Sequence, residues 1–240
     1  MSRDLVYGRN AVREALRGRR AVLELWAGER ASSALEWLAE GPRPRVKRER
    51  ELTEAAGSPD HQGLVAWCEP YPYADAWELA ADERPLLCLL DQVTDPRNLG
   101  AVVRSAAGAG ATGVVLPAHG AAIVTSAVCR ASAGAVEHLP VAVVPNLARY
   151  IGEIKGDRVW AYAAAADGDR SLWDVDLRDG VALVLGAEGR GVRPLVRRTC
   201  DAAVAIPLGK GVESLNVSVA AAVMLFEARR QRTTSSSTRG

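Results

Sequence analysis

The 240-residue sequence is poor in aromatic side chains, with one Phe, five Tyr and six Trp making up 5% of it. A core with so few rings must rest on Val, Leu and Ala, and apolar residues at 48% supply enough of them. Cys68, Cys88, Cys129 and Cys200 stand far apart, so no CxxC metal or redox pair exists. Three scattered histidines add no ligand cluster, and no metal is expected. Cys88, inside the apolar run Leu86–Leu90, reads as a small buried hydrophobe. The Met-Ser-Arg-Asp start has no apolar signal region, and no apolar stretch is long enough to span a bilayer without charges. A cytoplasmic protein without membrane contact is the expectation.

Charge of either sign is not in excess: the formal net charge is +1. Its distribution is uneven. Residues 1–50 hold twelve Lys/Arg against seven Asp/Glu, whereas residues 51–90 hold one Arg and eight acids. Such asymmetry can mark a basic face for a polyanion or simply a solvated surface.

Residues 1–69 read as a small α/β unit. Helices are expected over Gly8–Leu16 and Ser32–Ala39, and strands over Ala21–Trp26, Arg45–Arg48 and Gly63–Trp67. Residues 70–85, rich in Pro and acids, read as a linker with a helical turn. From Leu86 the chain alternates strand and helix. Strands are expected at Leu86–Leu90, Gly113–Leu116, Leu139–Val144, Arg158–Ala163, Val181–Leu185 and Ala203–Ile206. Helices are expected at Leu99–Ala109, Ser126–Ala133, Leu147–Ile154, Val192–Arg198 and Val217–Arg230. This is an α/β domain over residues 86–232 with its parallel sheet covered on both faces. Residues 233–240 read as a frayed, disordered tail.

Such a sheet invites a dinucleotide test. Gly108-x-Gly110-x-x-Gly113 has the right letters but follows a helix and precedes a strand, the reverse of what the fingerprint requires. A nicotinamide oxidoreductase is thereby disfavoured. Gly186-Ala-Glu-Gly-Arg-Gly191 follows a strand, but Glu188 occupies the middle glycine position and would repel a pyrophosphate. A carboxylate there suits a cationic or neutral ligand, and a plain turn is the alternative. Ser214 and Asn216 stand at the start of the helix from Val217, where either could cap it or meet a ligand. Asn98 holds the matching place before Leu99. Arg104 has Arg97, Ala101 and Gly108 as row neighbours, so something large could lie against it.

Taken together, three stretches resemble the SpoU (TrmH) family of RNA ribose methyltransferases within the SPOUT superfamily. They are Asp91-Gln-Val-Thr-Asp-Pro-Arg-Asn-Leu-Gly-Ala-Val-Val-Arg-Ser105, Leu183-Val-Leu-Gly-Ala-Glu-Gly-Arg-Gly191, and Ile206-Pro-Leu through Ser214-Leu-Asn-Val-Ser-Val-Ala220. Tyr7-Gly-Arg-Asn-Ala-Val12 and His61-Gln-Gly63 resemble the N-terminal substrate-binding domain found in many members. That domain and the ending Leu225-Phe-Glu-Ala-Arg-Arg-Gln-Arg232 are most similar to members that methylate a guanosine of 23S rRNA.

The resemblance implies S-adenosylmethionine as methyl donor and an RNA, foremost 23S rRNA, as acceptor. It implies catalytic roles for Arg104, Asn98, Glu188, Ser214 and Asn216, and donor contacts at Gly186, Ile206 and Leu215. It further implies a C-terminal trefoil knot and a homodimer with sites at the subunit interface. Arg9, Arg13, Arg43, Arg45, Lys47, Arg48 and Arg50 are candidate RNA phosphate contacts. Members acting on tRNA or on a 23S rRNA adenosine share these motifs, since the motifs serve the donor and the ribose. A non-catalytic RNA-binding protein on the same fold is opposed by the intact set Asn98, Arg104, Glu188 and Asn216.

Overall fold

The computed structural model describes residues 2–29, 31, 36–156 and 158–236. Two compact units emerge, one from Met1–Pro72 with Ile123–His138, the other from Tyr73–Ala122 with Leu139–Gly240.

The N-terminal unit is built on β1 (Asp4–Tyr7), β2 (Val22–Ala27), β3 (Arg45–Val46) and β4 (Leu64–Cys68), in the order β1-β4-β2-β3. β4 runs antiparallel to both neighbours, and β3 joins β2 in parallel. Helix α1 (Arg9–Arg17) buries Ala11, Val12 and Ala15, the i, i+1, i+4 set expected of one inward face. Helix α2 (Glu49–Ala56) buries Leu52 alone and is braced outside by Lys47–Glu51 and Arg50–Glu54 pairs. Its single anchor explains why the pattern did not announce it. β1 is likewise additional to the expected strands. Of the helix expected at Ser32–Ala39, Ser32–Leu35 lie outside the described residues, and Glu36–Glu40 form a 3₁₀ turn.

Helix α5 (Ser126–Ala131), with the turn that follows it, belongs to this same unit. The helix ends two residues short of the expected Ala133, which takes φ +51 ahead of Gly134 at φ +85. A buried ion pair fastens the stretch: Arg20 donates to Glu137 through Nε at 3.0 Å and Nη2 at 2.8 Å. Tyr71 donates its hydroxyl to the Val136 carbonyl at 2.9 Å.

The C-terminal unit carries a seven-stranded sheet. Its members are β5 (Leu86–Asp91), β6 (Gly113–Pro117), β7 (Val141–Val144), β8 (Val159–Ala164), β9 (Arg170–Ser171), β10 (Gly180–Gly186) and β11 (Ala202–Ala205). Their order is β7-β6-β5-β10-β8-β11-β9, with every pair parallel. The six expected strands are all present within two residues. β7 starts at Val141, after Pro140, which has no N–H to give the ladder. The two-residue edge strand β9 is additional.

Helix α3 (Ala76–Ala80) is capped by Asp75, and Tyr150 holds the Ala76 carbonyl at 2.6 Å. Helices α4 (Pro96–Ala109), α6 (Leu147–Ile154), α7 (Pro194–Thr199) and α8 (Val217–Ser236) cover the sheet. Strand alternation sends Leu87, Leu89, Ala182 and Val184 against α6 and α7. Cys88, Leu90, Leu183 and Leu185 then fall to the face where α4 packs on α8. Helix α8 passes the expected end at Arg230 and takes in Thr233 and Thr234, residues expected to fray; their hydroxyls bond carbonyls one turn back. All four cysteines are buried and free, and burial alone pushes the Cys88 thiol up to about 12.

Candidate functional site

In the C-terminal unit a cleft of about 690 Å³ opens over the carboxyl ends of β8, β10 and β11. Open parallel sheets bind ligands at this edge, where strand ends hand over to loops and helix starts. Three loops make the walls, 164–167, 186–192 and 206–217.

The loop after β10 is tightly closed. Gly191 donates its N–H to the Ala187 carbonyl at 2.8 Å, with Gly189 at φ +73 and Gly191 at φ +65. A Cβ on Gly186 would collide with the backbone of Gly191 and Val192. Gly186 is therefore required for the loop to fold back on itself. That closure places Glu188 at the tip.

Three polar side chains converge there. Asn98 donates through Nδ2 to Glu188 Oε1 at 3.2 Å. Asn216 donates through its own Nδ2 to Asn98 Oδ1 at 3.2 Å and to Glu188 Oε1. Asn216 Oδ1 also accepts from the backbone N–H of Ser218 at 2.9 Å, so Asn216 is the residue that caps α8. Ser214 lines the cleft instead of capping. Nor does Asn98 cap α4. Asp95 does so, accepting from the Arg97 N–H at 2.8 Å, with Pro96 as the first helical residue. That backbone hydrogen bond holds the Asp95 carboxyl below the usual range. Asn98, one turn in, is left to face Glu188.

The cleft gathers Gly186, Ile206, Leu215, Glu188, Ser214 and Asn216, and Asn98 joins through its hydrogen bonds. Arg104 is not gathered. It lies exposed on α4, outside the cleft lining, and makes no hydrogen bond or ion pair with a described residue. Sequence reading missed two further features. Asp167 and Arg197 line the far side of the cleft, paired at 2.9 Å, and that hydrogen bond keeps the Asp167 carboxyl below its ordinary value. Asp91, at the end of β5, is fully buried and bound by Arg193. Only the three-dimensional partners reveal either pair.

The cleft chemistry fits a donor of mixed character. Leu185, Val204, Leu208 and Leu215 offer apolar contact for a purine ring, while Glu188 and Glu213 are the acids of the lining not paired with Arg197, and Arg190 lines it too. Among the described residues, no group of three His, Cys, Asp or Glu could hold a metal ion, and no helix is long and apolar enough to cross a membrane.

The basic candidates of the N-terminal unit separate into two places. Arg9, Lys47 and Arg48 line one cleft, whereas Arg43 and Arg45 line another with Glu24, which pairs with Arg45 at 2.9 Å. Arg13 is tied to Glu14 at 2.8 Å and Arg50 to Glu54 at 2.8 Å.

Comparison with known proteins identifies the family. Residues 85–226 match the family model described as the SpoU rRNA methylase family, and residues 5–74 match one described as RNA 2′-O ribose methyltransferase substrate binding. A 23S rRNA (guanosine-2′-O-)-methyltransferase RlmB of Xanthomonas campestris is 48% identical over 189 residues, 75% of each chain. An uncharacterized tRNA/rRNA methyltransferase of Synechocystis is 37% identical over 95% of this chain, which spans 63% of that longer protein. The crystal structure of the SpoU methyltransferase AviRb from Streptomyces viridochromogenes, in complex with AdoMet, superposes with a TM-score of 0.82 at 26% identity. It covers 97% of this chain and 91% of that one.

Proposed function

The chain belongs to the SpoU rRNA methylase family, and from that premise we propose how its residues carry out the transfer. It is an RNA ribose 2′-O-methyltransferase that uses S-adenosylmethionine, and a guanosine of 23S rRNA is its substrate. One observation carries the mechanistic reading: the Asn98–Glu188–Asn216 cluster closes one end of a cleft lined by Gly186, Ile206 and Leu215.

The bound donor supplies a methyl group on a sulfonium centre. Asn98, Glu188 and Asn216 hold three loops in fixed register, so that the acceptor ribose is positioned rather than searched for. Ser214, free of any capping duty, presents a hydroxyl to the acceptor. Arg104 grips a phosphate beside the target ribose and polarises its 2′-oxygen. A guanidinium keeps its proton at any physiological pH, which rules it out as the base.

Arg104 lies outside the cleft of its own chain, and this supports a homodimer in which a second copy completes the site. The face that would meet this copy carries exposed Val219 and Phe226 on α8. A C-terminal trefoil knot, a cytoplasmic location and no need for metal belong to the same reading. The N-terminal unit supplies RNA affinity.

The test is a map of 2′-O-methyl groups on rRNA and tRNA from cells with and without the gene. One 23S rRNA guanosine should lose its methyl. A loss on tRNA or on an adenosine refutes the substrate, and an unchanged map refutes the activity.

A further inference from the structure

We propose that the N-terminal unit holds RNA in a phosphate clamp that reads no base, and that Arg130, outside the matched substrate-binding range, is one of its jaws. The proposal rests on the reading that the chain acts on RNA.

The clamp is a cleft of about 790 Å³ formed wholly within this unit. Its backbone is strongly constrained. Gly8 sits at φ +94, Gln62 at φ +53 and Gly63 at φ +80. Gly8 donates its N–H to the Leu64 carbonyl at 3.1 Å, and the Arg9 N–H is capped by Gln62 Oε1 at 2.9 Å. Beneath them His61 is fully buried, accepting the Gly63 N–H on Nδ1 at 3.0 Å and meeting Thr53 Oγ1 through Nε2 at 3.0 Å. The start of α1 and the loop before β4 are thus locked together.

Four cations from three segments face this frame: Arg9, Lys47, Arg48 and Arg130. The side chains of Arg9 and Arg48 have no hydrogen-bond or ion-pair partner among the described residues. Lys47 lies over the Trp26 ring at 4.6 Å and is paired with Glu51 at 2.8 Å. Arg130 is aimed by Asp60 through Nη1 at 2.7 Å and lies over the Tyr7 ring, 5.9 Å from its centre. Carboxylates line the cleft too: Asp60 is committed to Arg130, Glu49 lies 3.3 Å from His61 Nε2, and Glu29 is the third, so the four cations exceed the acids by one.

No aromatic ring is among the lining residues, so the cleft offers no platform for stacking bases. Cations without stacking surfaces hold phosphates, which positions an RNA without reading its sequence. Choice of nucleotide then lies outside this cleft.

The experiment measures binding of the full chain to two short RNA hairpins of equal length and unrelated loop sequence, across a salt series. Arg9→Ala, Arg48→Ala and Arg130→Ala should each weaken both hairpins alike. Each should flatten the slope of log affinity against log salt by ~0.7–0.9. Arg130→Lys should keep the slope, and Arg149→Ala, at an exposed arginine of α6 paired with Glu153, should change nothing. S-adenosylmethionine binding by calorimetry should be the same in all variants. Unchanged affinity and slope, or a loss confined to one hairpin, overturns the clamp. If the unsubstituted chain binds neither hairpin, the RNA reading fails and the clamp with it.

Discussion

The carboxylate of Asp91, fully buried at the end of β5, is gripped by Arg193 at the start of α7. Nε and Nη2 reach Oδ1 at 2.8 and 2.7 Å, and the Arg193 backbone N–H reaches Oδ2 at 2.9 Å. The pair ties the loop leading to Asn98 to the loop carrying Glu188. It is asymmetric, because the Arg193 side chain is 44% exposed while Asp91 has no exposure. Arg193→Ala strands a buried charge and should cost about 3–5 kcal/mol. Asp91→Ala leaves a guanidinium that can turn to water, and should cost less. Urea unfolding at neutral pH checks the order; equal losses, or a milder Arg193→Ala, contradict the argument.

Arg104 has no hydrogen-bond or ion-pair partner to lose among the described residues, so its removal should leave the fold and the donor cleft intact. Arg104→Ala is expected to lower single-turnover methyl transfer by about a hundredfold or more, the scale of losing a preorganised charge contact. The dissociation constant for S-adenosylmethionine should not move. Arg104→Lys should recover little, since an ammonium lacks the two-pronged phosphate grip. A transfer rate that survives in the alanine variant removes Arg104 from the chemistry.

These residues also show what a linear sequence can carry. The six longer strands of the C-terminal unit were legible because buried parallel strands are short aliphatic runs. β9 was not, since two residues at a sheet edge make no pattern. The motif residues were legible as a set, but Asn98 was misplaced as a cap. The local signal Asp95-Pro96 outranks it, and Asn98's true partner Glu188 is 90 residues away. Asp91 read as the first residue after the strand Leu86–Leu90, and its burial makes sense only beside Arg193, 102 residues on. The helix at Ser126 was legible too, whereas its home in the N-terminal unit depends on Arg20 meeting Glu137 across 117 positions.

Acid should expose a different set of pairs. The Arg178 side chain, hydrogen-bonded to Asp176, pulls that carboxyl down to about 2. The Arg230 hydrogen bond lowers Glu227 below its ordinary value, and Glu227 in turn holds Gln231, which fastens the Leu177 N–H at 2.8 Å. Both groups have lower pKa folded than unfolded. Their contribution is therefore complete above the ordinary carboxylate range and is lost as pH falls from about 4 toward 2. Unfolding midpoints should hold steady from neutral to mildly acidic pH and then decline. The decline should be shallower in Arg178→Ala and Arg230→Ala, by a modest amount because both arginines are exposed. The same acid profile in the variants as in the unsubstituted chain would show that these pairs contribute nothing.

The last expectation concerns the outer face of α8. Val219 and Phe226 are seven residues apart, hence on one side of the helix, and each is 48% exposed. The Phe226 ring edge lies 3.5 Å from the point where a Cβ on Gly108 would stand, and Gly108 is one turn beyond Arg104. A Cβ at 108 would make ordinary van der Waals contact with that ring, so α4 and α8 meet one turn from Arg104. A second copy is the partner that would bring Arg104 to a cleft it does not reach alone. Val219→Asp with Phe226→Asp should therefore yield monomers by light scattering. These monomers should still bind S-adenosylmethionine, because the cleft lies within one unit, and should fail to transfer its methyl group. Variants that remain dimeric would move the interface elsewhere, and active monomers would show that a single chain already holds a complete site.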